Sequence, residues 1–370
     1  MNCKWFGECG GCALPLEYDE QLSRKTAAFF AAFEGLKMPE TKVVPSRKRH
    51  FRNRGEFRVW HEKDGGIALS MYRINGGGAI SVDRCPAMND RFSANMQAMI
   101  DFIGDYPALF ERLFELDFLA SDDGSQMIIT LIYHKPIDER WSEAARGFCD
   151  RFSVSAIGRS KGKKLVIGEE FIAETIPVAD RAWNYRYIEG AFSQPNGYIN
   201  RAMINHIFDL LEPSDKDYLE LYCGIGNFTL PLSEKFRGAM AIEVNTAALN
   251  AAKINAANND RDNIFFARMS AEEFANAMGK TRSFNRLKAV DLDGYSFHTA
   301  LVDPPRAGLD RASLNLVSQA ERVIYVSCNQ ATLRRDLDEL TKTRRVVSAA
   351  LFDQFPYAPH IESCVILERQ

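Results

Sequence analysis

Apolar positions change their rhythm twice along the chain. Between Glu17 and Glu34, Leu22, Ala27, Phe30 and Phe33 recur at roughly helical intervals, which predicts a helix behind a short opening rich in cysteine and glycine. From Val43 to about Val178 short alternating or β-branched runs take over, such as Glu56-Phe57-Arg58-Val59-Trp60 and Met127 to Tyr133. Asp64-Gly65-Gly66, Asn75-Gly76-Gly77-Gly78 and Asp122-Asp123-Gly124 break these runs, a pattern that predicts antiparallel hairpins. Ala94 to Phe118 and Asp138 to Phe148 carry helical periodicity and interrupt them. After Asn196-Gly197 the predicted strands are Tyr218 to Tyr222, Ala239 to Glu243, Asn263 to Ala267, Thr299 to Asp303, Arg322 to Ser327, Val346 to Phe352 and Cys364 to Leu367. Thr246 to Ala257 forms a helix between two of them, and the capping box Ser270-Ala271-Glu272-Glu273 opens another. Strand and helix in alternation predict a mostly parallel, doubly wound sheet. Three segments are expected: 1–45, a cysteine stretch and helix packed on the next unit; 46–185, an α+β, sheet-rich domain; and 186–370, an α/β domain.

Composition narrows the picture. A chain of 370 residues, 46% hydrophobic and 26% charged, can bury large cores and cover them, so disordered and fibrous classes are excluded. No run of about 18 apolar residues and no secretory h-region is present, which leaves no membrane partner and a cytoplasmic location as the expectation. A net charge of −3 means that any polyanion must be met by a local patch. In a reducing compartment the eight cysteines read as metal ligands, a nucleophile or buried small residues.

Candidate chemistry collects at strand ends in the second half. The first strand there runs into Leu221-Tyr222-Cys223-Gly224-Ile225-Gly226-Asn227-Phe228, and the next closes on Glu243. Glycines at a strand-to-helix turn let backbone approach a ligand, and an acidic residue closing the second strand can accept ribose hydroxyls. Thr229 replaces the third glycine of the dinucleotide fingerprint, which favours a phosphate-free adenosine ligand such as S-adenosylmethionine; a plain tight turn is the competing reading. The fourth strand ends in Asp303-Pro304-Pro305-Arg306, and the prolines leave the aspartate at the carboxyl edge. Cys328, in Ser327-Cys328-Asn329, sits where helix N-terminal amides can lower a thiol pKa, although free cysteine is commonly a buried small residue. Glu362 closes the group and could equally be a surface carboxylate.

Two features lie in the front half. Cys3, Cys9 and Cys12 form C-x5-C-x2-C, with Cys85 followed by Pro86; this set suits an iron-sulfur cluster, with zinc as the rival. Cys149, Cys223 and Cys364 read as buried residues. Arg47 to Arg58 packs six positive charges into twelve residues, with Phe51, Phe57 and Trp60 interleaved. That combination suits phosphate contact plus base stacking and nominates Arg49, Arg52, Arg54, Phe57 and Arg58 as RNA-facing. A solvated charged face is the plainer alternative, and Arg159 to Lys164 could extend the surface.

Gln194 in Phe192-Ser193-Gln194-Pro195-Asn196, the Tyr222 to Phe228 loop, Asp303 to Asp310, Ser327-Cys328-Asn329 and Phe352 to Glu362 together resemble the RNA 5-methyluridine methyltransferase family. Phe352 to Tyr357 and Phe284-Asn285-Arg286-Leu287 look most like its tRNA (uracil-5-)-methyltransferase branch. The resemblance implies a Rossmann-like methyltransferase domain with a seven-stranded, mostly parallel sheet, preceded by an RNA-binding domain. It implies that Gln194, Tyr222, Asn227, Glu243 and Asp303 form the S-adenosylmethionine site, joined by Gly224 from the loop, with Cys328 as nucleophile and Glu362 as base. Similar cysteine spacing accompanies a [4Fe-4S] cluster in ribosomal RNA members of the wider family. The expected function is therefore methylation of carbon 5 of a uridine in RNA by a monomer. The T-loop uridine of tRNA (U54) is favoured, with tmRNA as an additional candidate substrate; a 23S ribosomal RNA uridine is the runner-up. A non-catalytic RNA-binding or RNA-folding protein and a metal-dependent redox protein are rivals from other classes.

Overall fold

The computed structural model describes every residue except Asp64 and Ala289, so the first residue of the Asp64-Gly65-Gly66 turn lies outside the described residues. Helix α1 (Tyr18–Ala32) and strand β1 (Thr41–Val44) lead into β2 (Arg54–His61), β3 (Ile67–Tyr72) and β4 (Ala79–Ser81). Next come α2 (Asp90–Gly104), the single turn α3 (Pro107–Phe110), β5 (Leu113–Ala120), β6 (Met127–Tyr133), α4 (Glu139–Phe152), β7 (Ser155–Ser160) and β8 (Lys163–Ile167). Seven strands form one sheet in the order β4-β3-β2-β5-β6-β7-β8, antiparallel except where β6 meets β7. Two helices cover one of its faces. Asn89 caps α2 by accepting from the Arg91 N–H, and Phe92, Met96, Met99, Ile100 and Ile103 fall inward at helical spacing. Asp138 caps α4, which buries Trp141, Ala145, Phe148 and Phe152. The helix expected to run to Phe118 stops early: Pro107 opens its own turn, and Leu113–Ala120 alternates inward and outward against β2 and β6.

The remainder comprises the hairpin β9 (Phe171–Val178) and β10 (Arg181–Ile188), then α5 (Gly197–Asp209), β11 (Ser214–Leu221), α6 (Thr229–Leu232), β12 (Phe236–Glu243), α7 (Thr246–Asn258) and β13 (Ile264–Arg268). It ends with α8 (Ala271–Met278), β14 (Phe297–Val302), α9 (Arg311–Val317), β15 (Arg322–Ser327), α10 (Gln330–Leu340), β16 (Arg344–Phe352) and β17 (Glu362–Arg369). Both halves of the Ser270–Glu273 capping box form at the start of α8. The second sheet runs β1-β16-β17-β15-β14-β11-β12-β13, parallel except that β17 is antiparallel to both neighbours. Strands β11 to β17 are the seven expected; β1 is an eighth, pairing Thr41–Val44 with Ala349–Phe352.

That pairing corrects the expectation for segment 1–45. Its cysteine stretch does rest on the front unit, where Trp5 and Cys9 touch the core. Its helix instead joins the second sheet, with Phe29 and Phe33 in one apolar cluster with Leu333 and Leu337 of α10. The β9–β10 hairpin likewise buries Trp183 and Tyr185 with Ile199, Met203 and Ile207 of α5.

Candidate active site at the carboxyl edge of the second sheet

Strand β11 leaves the sheet through backbone that side chains disfavour. Tyr222, Gly224 and Gly226 have φ of 65°, 55° and 82°, and a Cβ on Gly226 would stand 2.2 Å from Leu230 Cδ1. The turn directs the Gly224 N–H to Glu243 Oε2 at 3.0 Å, while the Asn245 N–H donates to Glu243 Oε1 at 2.7 Å. Each carboxylate oxygen keeps a further lone pair for a ligand hydroxyl. A cleft beside this turn is lined by Phe192, Gln194, Glu220, Tyr222, Asn227 and Asp303. Asn227 exchanges two amide hydrogen bonds with Asn200, at 2.8 and 2.9 Å, so its side chain is fixed in the wall. The Tyr222 hydroxyl faces Ser313, so this residue offers the cleft its ring and backbone.

Strand register brings the chemistry together. Ser327 pairs with Ser363 across β15 and β17, so Cys328 and Glu362 follow as the next opposed positions at the sheet edge. Phe352 pairs with Glu362 from the other side, and Asp303 follows Val302, the last residue of β14 paired to β15. Burial and the neighbouring Asp303 push the Glu362 carboxyl well above the usual range, and burial lifts Asp303 to about 7. The expected thiol activation is not what the fold provides. Burial first, then the charges of Glu362 and Asp303, raise the Cys328 thiol, with the Arg306 guanidinium opposing them. Burial, with the two carboxyls adding to it, outweighs what helix N-terminal amides could contribute.

Three residues of the site were given no role in the sequence analysis. Glu220 is 1% exposed, accepts from the Tyr218 hydroxyl at 2.7 Å, lies close to the Thr229 hydroxyl and lines the cleft. Burial pushes its carboxyl up to about 8. Gln354 donates to Gln194 Oε1 at 2.6 Å, and Gln194 Nε2 donates to Asp303 Oδ2 at 3.3 Å. Arg306 is the third, through its contact with Cys328. An acid between Leu219 and Leu221, two residues before the turn, was the available signal for Glu220; Gln354 and Arg306 stood inside quoted motifs without an assigned role.

In the front half, Cys3, Cys9, Cys12 and Cys85 all line one cavity of about 240 Å³, together with Trp5, Arg52 and Phe355. Burial and mutual repulsion push Cys12 to about 12, and burial lifts Cys85 to about 11. Among the described residues, however, no group of three or more His, Cys, Asp or Glu is arranged to hold a metal ion. Cys149, Cys223 and Cys364 are buried, as expected.

The basic run divides by strand alternation. Phe57 is 1% exposed and packs under α2 against Phe92, so it cannot stack on a base, and Phe51 is buried too. Trp60 is the exposed aromatic of the run, at 59%. Arg49 is exposed, while Arg52 lines the cysteine cavity and donates to the Arg54 carbonyl at 3.0 Å. Arg54 lies over the exposed ring of Phe192, and Arg58 pairs with Glu115 at 3.1 Å. The second run is partly neutralised, since Arg159 and Lys164 both pair with Glu189. Among the described residues no helix is long and apolar enough to cross a membrane.

The family model described as tRNA (Uracil-5-)-methyltransferase matches residues 17–370. The chain is similar to the tRNA/tmRNA (uracil-C(5))-methyltransferase of Nitratiruptor sp., 42% identical over 370 residues that cover the whole of both chains. That of Sulfurimonas denitrificans is 41% identical over 363 residues, 98% of each chain. Among solved structures, the Pyrococcus abyssi tRNA (uracil-54, C5)-methyltransferase in complex with S-adenosyl-L-homocysteine superposes with a TM-score of 0.72 at 23% identity, over 96% of this chain and 85% of that one.

Proposed function

Because the chain belongs to the tRNA (uracil-5-)-methyltransferase family, we propose that its strand-edge residues divide the work of one methyl transfer. The enzyme moves a methyl group from S-adenosylmethionine to carbon 5 of uracil in tRNA. The cleft fits that donor: Glu243 has free lone pairs for ribose hydroxyls, and Glu220 and Asp303 line it with carboxyls that can face a ligand bearing sulfonium and ammonium charge. When bound, S-adenosylmethionine supplies an electrophilic methyl group. Carbon 5 of uracil is too weak a nucleophile to take it unaided. The Cys328 thiolate adds to carbon 6, and the π electrons move toward carbon 5 and the neighbouring carbonyl, giving an enolate that bonds to the methyl carbon as the bond from that carbon to the sulfonium sulfur breaks and S-adenosylhomocysteine leaves. Carbon 5 then carries both methyl and hydrogen. Glu362 removes that proton, the 5,6 double bond re-forms and the bond from carbon 6 to sulfur breaks.

The observation that carries this reading is the opposition of Cys328 and Glu362 across β15 and β17, beside Asp303 and the glycine turn. We assign U54 of the T-loop as the target, with the tmRNA counterpart as a second substrate, supported by the names of the relatives. A stacked loop uridine must be turned out to reach the edge, and exposed Phe192 at the cleft mouth can receive a base. Arg49 and Arg54 would contact phosphate. The four-cysteine cavity we assign to a thiophilic group, an iron-sulfur cluster before zinc, because four cysteines that line one cavity, Cys12 buried and the others half-buried, suit such an acceptor.

One preparation tests all of this. Anaerobically purified protein, given labelled S-adenosylmethionine and either unmodified tRNA or ribosomal RNA, should place 5-methyluridine at U54 of tRNA; label in ribosomal RNA alone would overturn the assignment. Iron and sulfide in the same preparation should approach four of each per chain, the stoichiometry of a [4Fe-4S] cluster; zinc, or neither, would remove the cluster.

Donor binding should also be linked to pH. Asp303, lifted to about 7 by burial, is largely protonated at pH 6, and a cationic ligand favours its ionised form. Binding at pH 6 should therefore release a proton, and affinity should rise with pH until the carboxyl is fully ionised. Calorimetry in two buffers of different ionisation enthalpy reads the release directly. Asp303→Asn should bind more weakly and release less; unchanged release would clear Asp303 of the role.

A further inference from the structure

Lys25 and Asp353 form an ion pair at 2.6 Å with side-chain exposures of 1% and 0%, far along the chain from each other. The mechanism uses neither. Further bonds surround them: Lys25 Nζ also donates to the Phe355 carbonyl at 2.7 Å, Gln21 Nε2 donates to Asp353 Oδ2 at 3.1 Å, and the Tyr18 hydroxyl donates to the same carboxylate. The Tyr357 N–H donates to Gln21 Oε1 at 3.2 Å. Helix α1 thus grips the 353–357 loop by side chains spaced one helical turn apart, Tyr18, Gln21 and Lys25, all on its buried face. Burying such a pair is costly, and hydrophobic residues of similar volume would often serve stability as well. A purely structural need therefore explains it poorly.

What the grip fixes is Gln354, the residue between the two anchored positions Asp353 and Phe355. Its side chain points the other way, onto Gln194, which reaches Asp303. We propose that Lys25 is a positioning residue for the donor site, acting through Asp353 and Gln354 to hold the Gln194 amide against Asp303. This rests on the reading of Gln194 and Asp303 as donor-binding residues. The N-terminal helix, otherwise remote from the chemistry, thereby becomes part of the methyl-donor site, and the Gln194 amide is aimed before the donor arrives.

Lys25→Met alone would strand a buried carboxylate and endanger the fold. The test uses the charge-neutral pair Lys25→Met/Asp353→Asn, the downstream variant Gln354→Ala, and all three changes together, each in the full chain. S-adenosylmethionine affinity is read by calorimetry, KM for donor and for tRNA from initial rates, and the melting temperature alongside. The neutral pair and Gln354→Ala should each weaken donor binding about tenfold, the scale of one buried hydrogen bond, with KM for tRNA unchanged. The triple variant should be no weaker than the neutral pair, because both changes interrupt one path. Donor affinity kept at the wild-type value with only a lower melting temperature would make the pair structural and overturn the proposal; losses that multiply in the triple variant would do the same. Wild-type protein that fails to bind S-adenosylmethionine, or Asp303→Asn that binds it normally, would instead sink the reading of the site beneath it.

Discussion

Cys328→Ala is expected to lower 5-methyluridine formation by about 10⁴-fold or more, with donor and tRNA binding close to wild type. The size follows from the substrate. Without a sulfur at carbon 6 the reaction must alkylate an unactivated vinylic carbon, and the remaining groups of the site only bind and orient. Each tenfold corresponds to about 1.4 kcal/mol of transition-state stabilisation, so the expected loss is about 5.5 kcal/mol. The half-buried thiol, raised by burial and by Glu362 and Asp303, is held largely protonated in the free enzyme. A positive donor seated among these carboxyls would ease its ionisation, as Arg306 already does in part. Cys328→Ser should be nearly as inactive, since a serine hydroxyl ionises far less readily. Label transfer to tRNA and a denaturation-resistant adduct with 5-fluorouridine RNA are the two readouts. The adduct should vanish in both variants; an adduct that survives in Cys328→Ala would assign the nucleophile elsewhere.

The edge that hosts this chemistry could be read from sequence because its signals are local. A glycine pair at a strand end, Asp303 stopped by two prolines, and Cys328 closing an apolar run each announce a turn, and the doubly wound order sends those turns to one side. Strand β15 was anticipated to the residue. Signals that depend on what packs above a surface were lost. Phe57 and Arg58 alternate correctly as neighbours on a strand, yet only the helices beneath β2 decide that Phe57 faces inward. Leu113–Ala120 carries enough apolar residues to continue a helix, and its pairing with β2 and β6 overrides that periodicity. Lys25 lies among the polar positions of a helix whose apolar repeat assigns it no partner. Its partner Asp353 is 328 positions away, so no local pattern could expose the pair. The same holds for β1, whose place beside β16 makes the first 45 residues part of two units rather than one.

Glu362→Gln should act on the two halves of the reaction with opposite signs. Glu362 is 3% exposed and held between Phe352 and Cys328 by the register of β17, so glutamine fits the same space without a basic oxygen. Removing its charge removes one of the causes that raise the Cys328 thiol, and addition to carbon 6 should become easier. The second half loses its base. With carbon 5 carrying both methyl and proton, Cys328 cannot leave until that proton goes, and water has little access to a residue this buried. Turnover should fall about 10³-fold, within the range of a lost general base. Covalent protein–RNA complex bearing the new methyl group should accumulate with ordinary tRNA, needing no fluorinated analogue. Gel shift under denaturing conditions and intact mass after nuclease digestion distinguish the outcomes. An adduct without the methyl group would place Glu362 before transfer rather than after it. Normal turnover with no adduct would hand proton removal to another group, and Asp303, next along the edge, would be the first to examine.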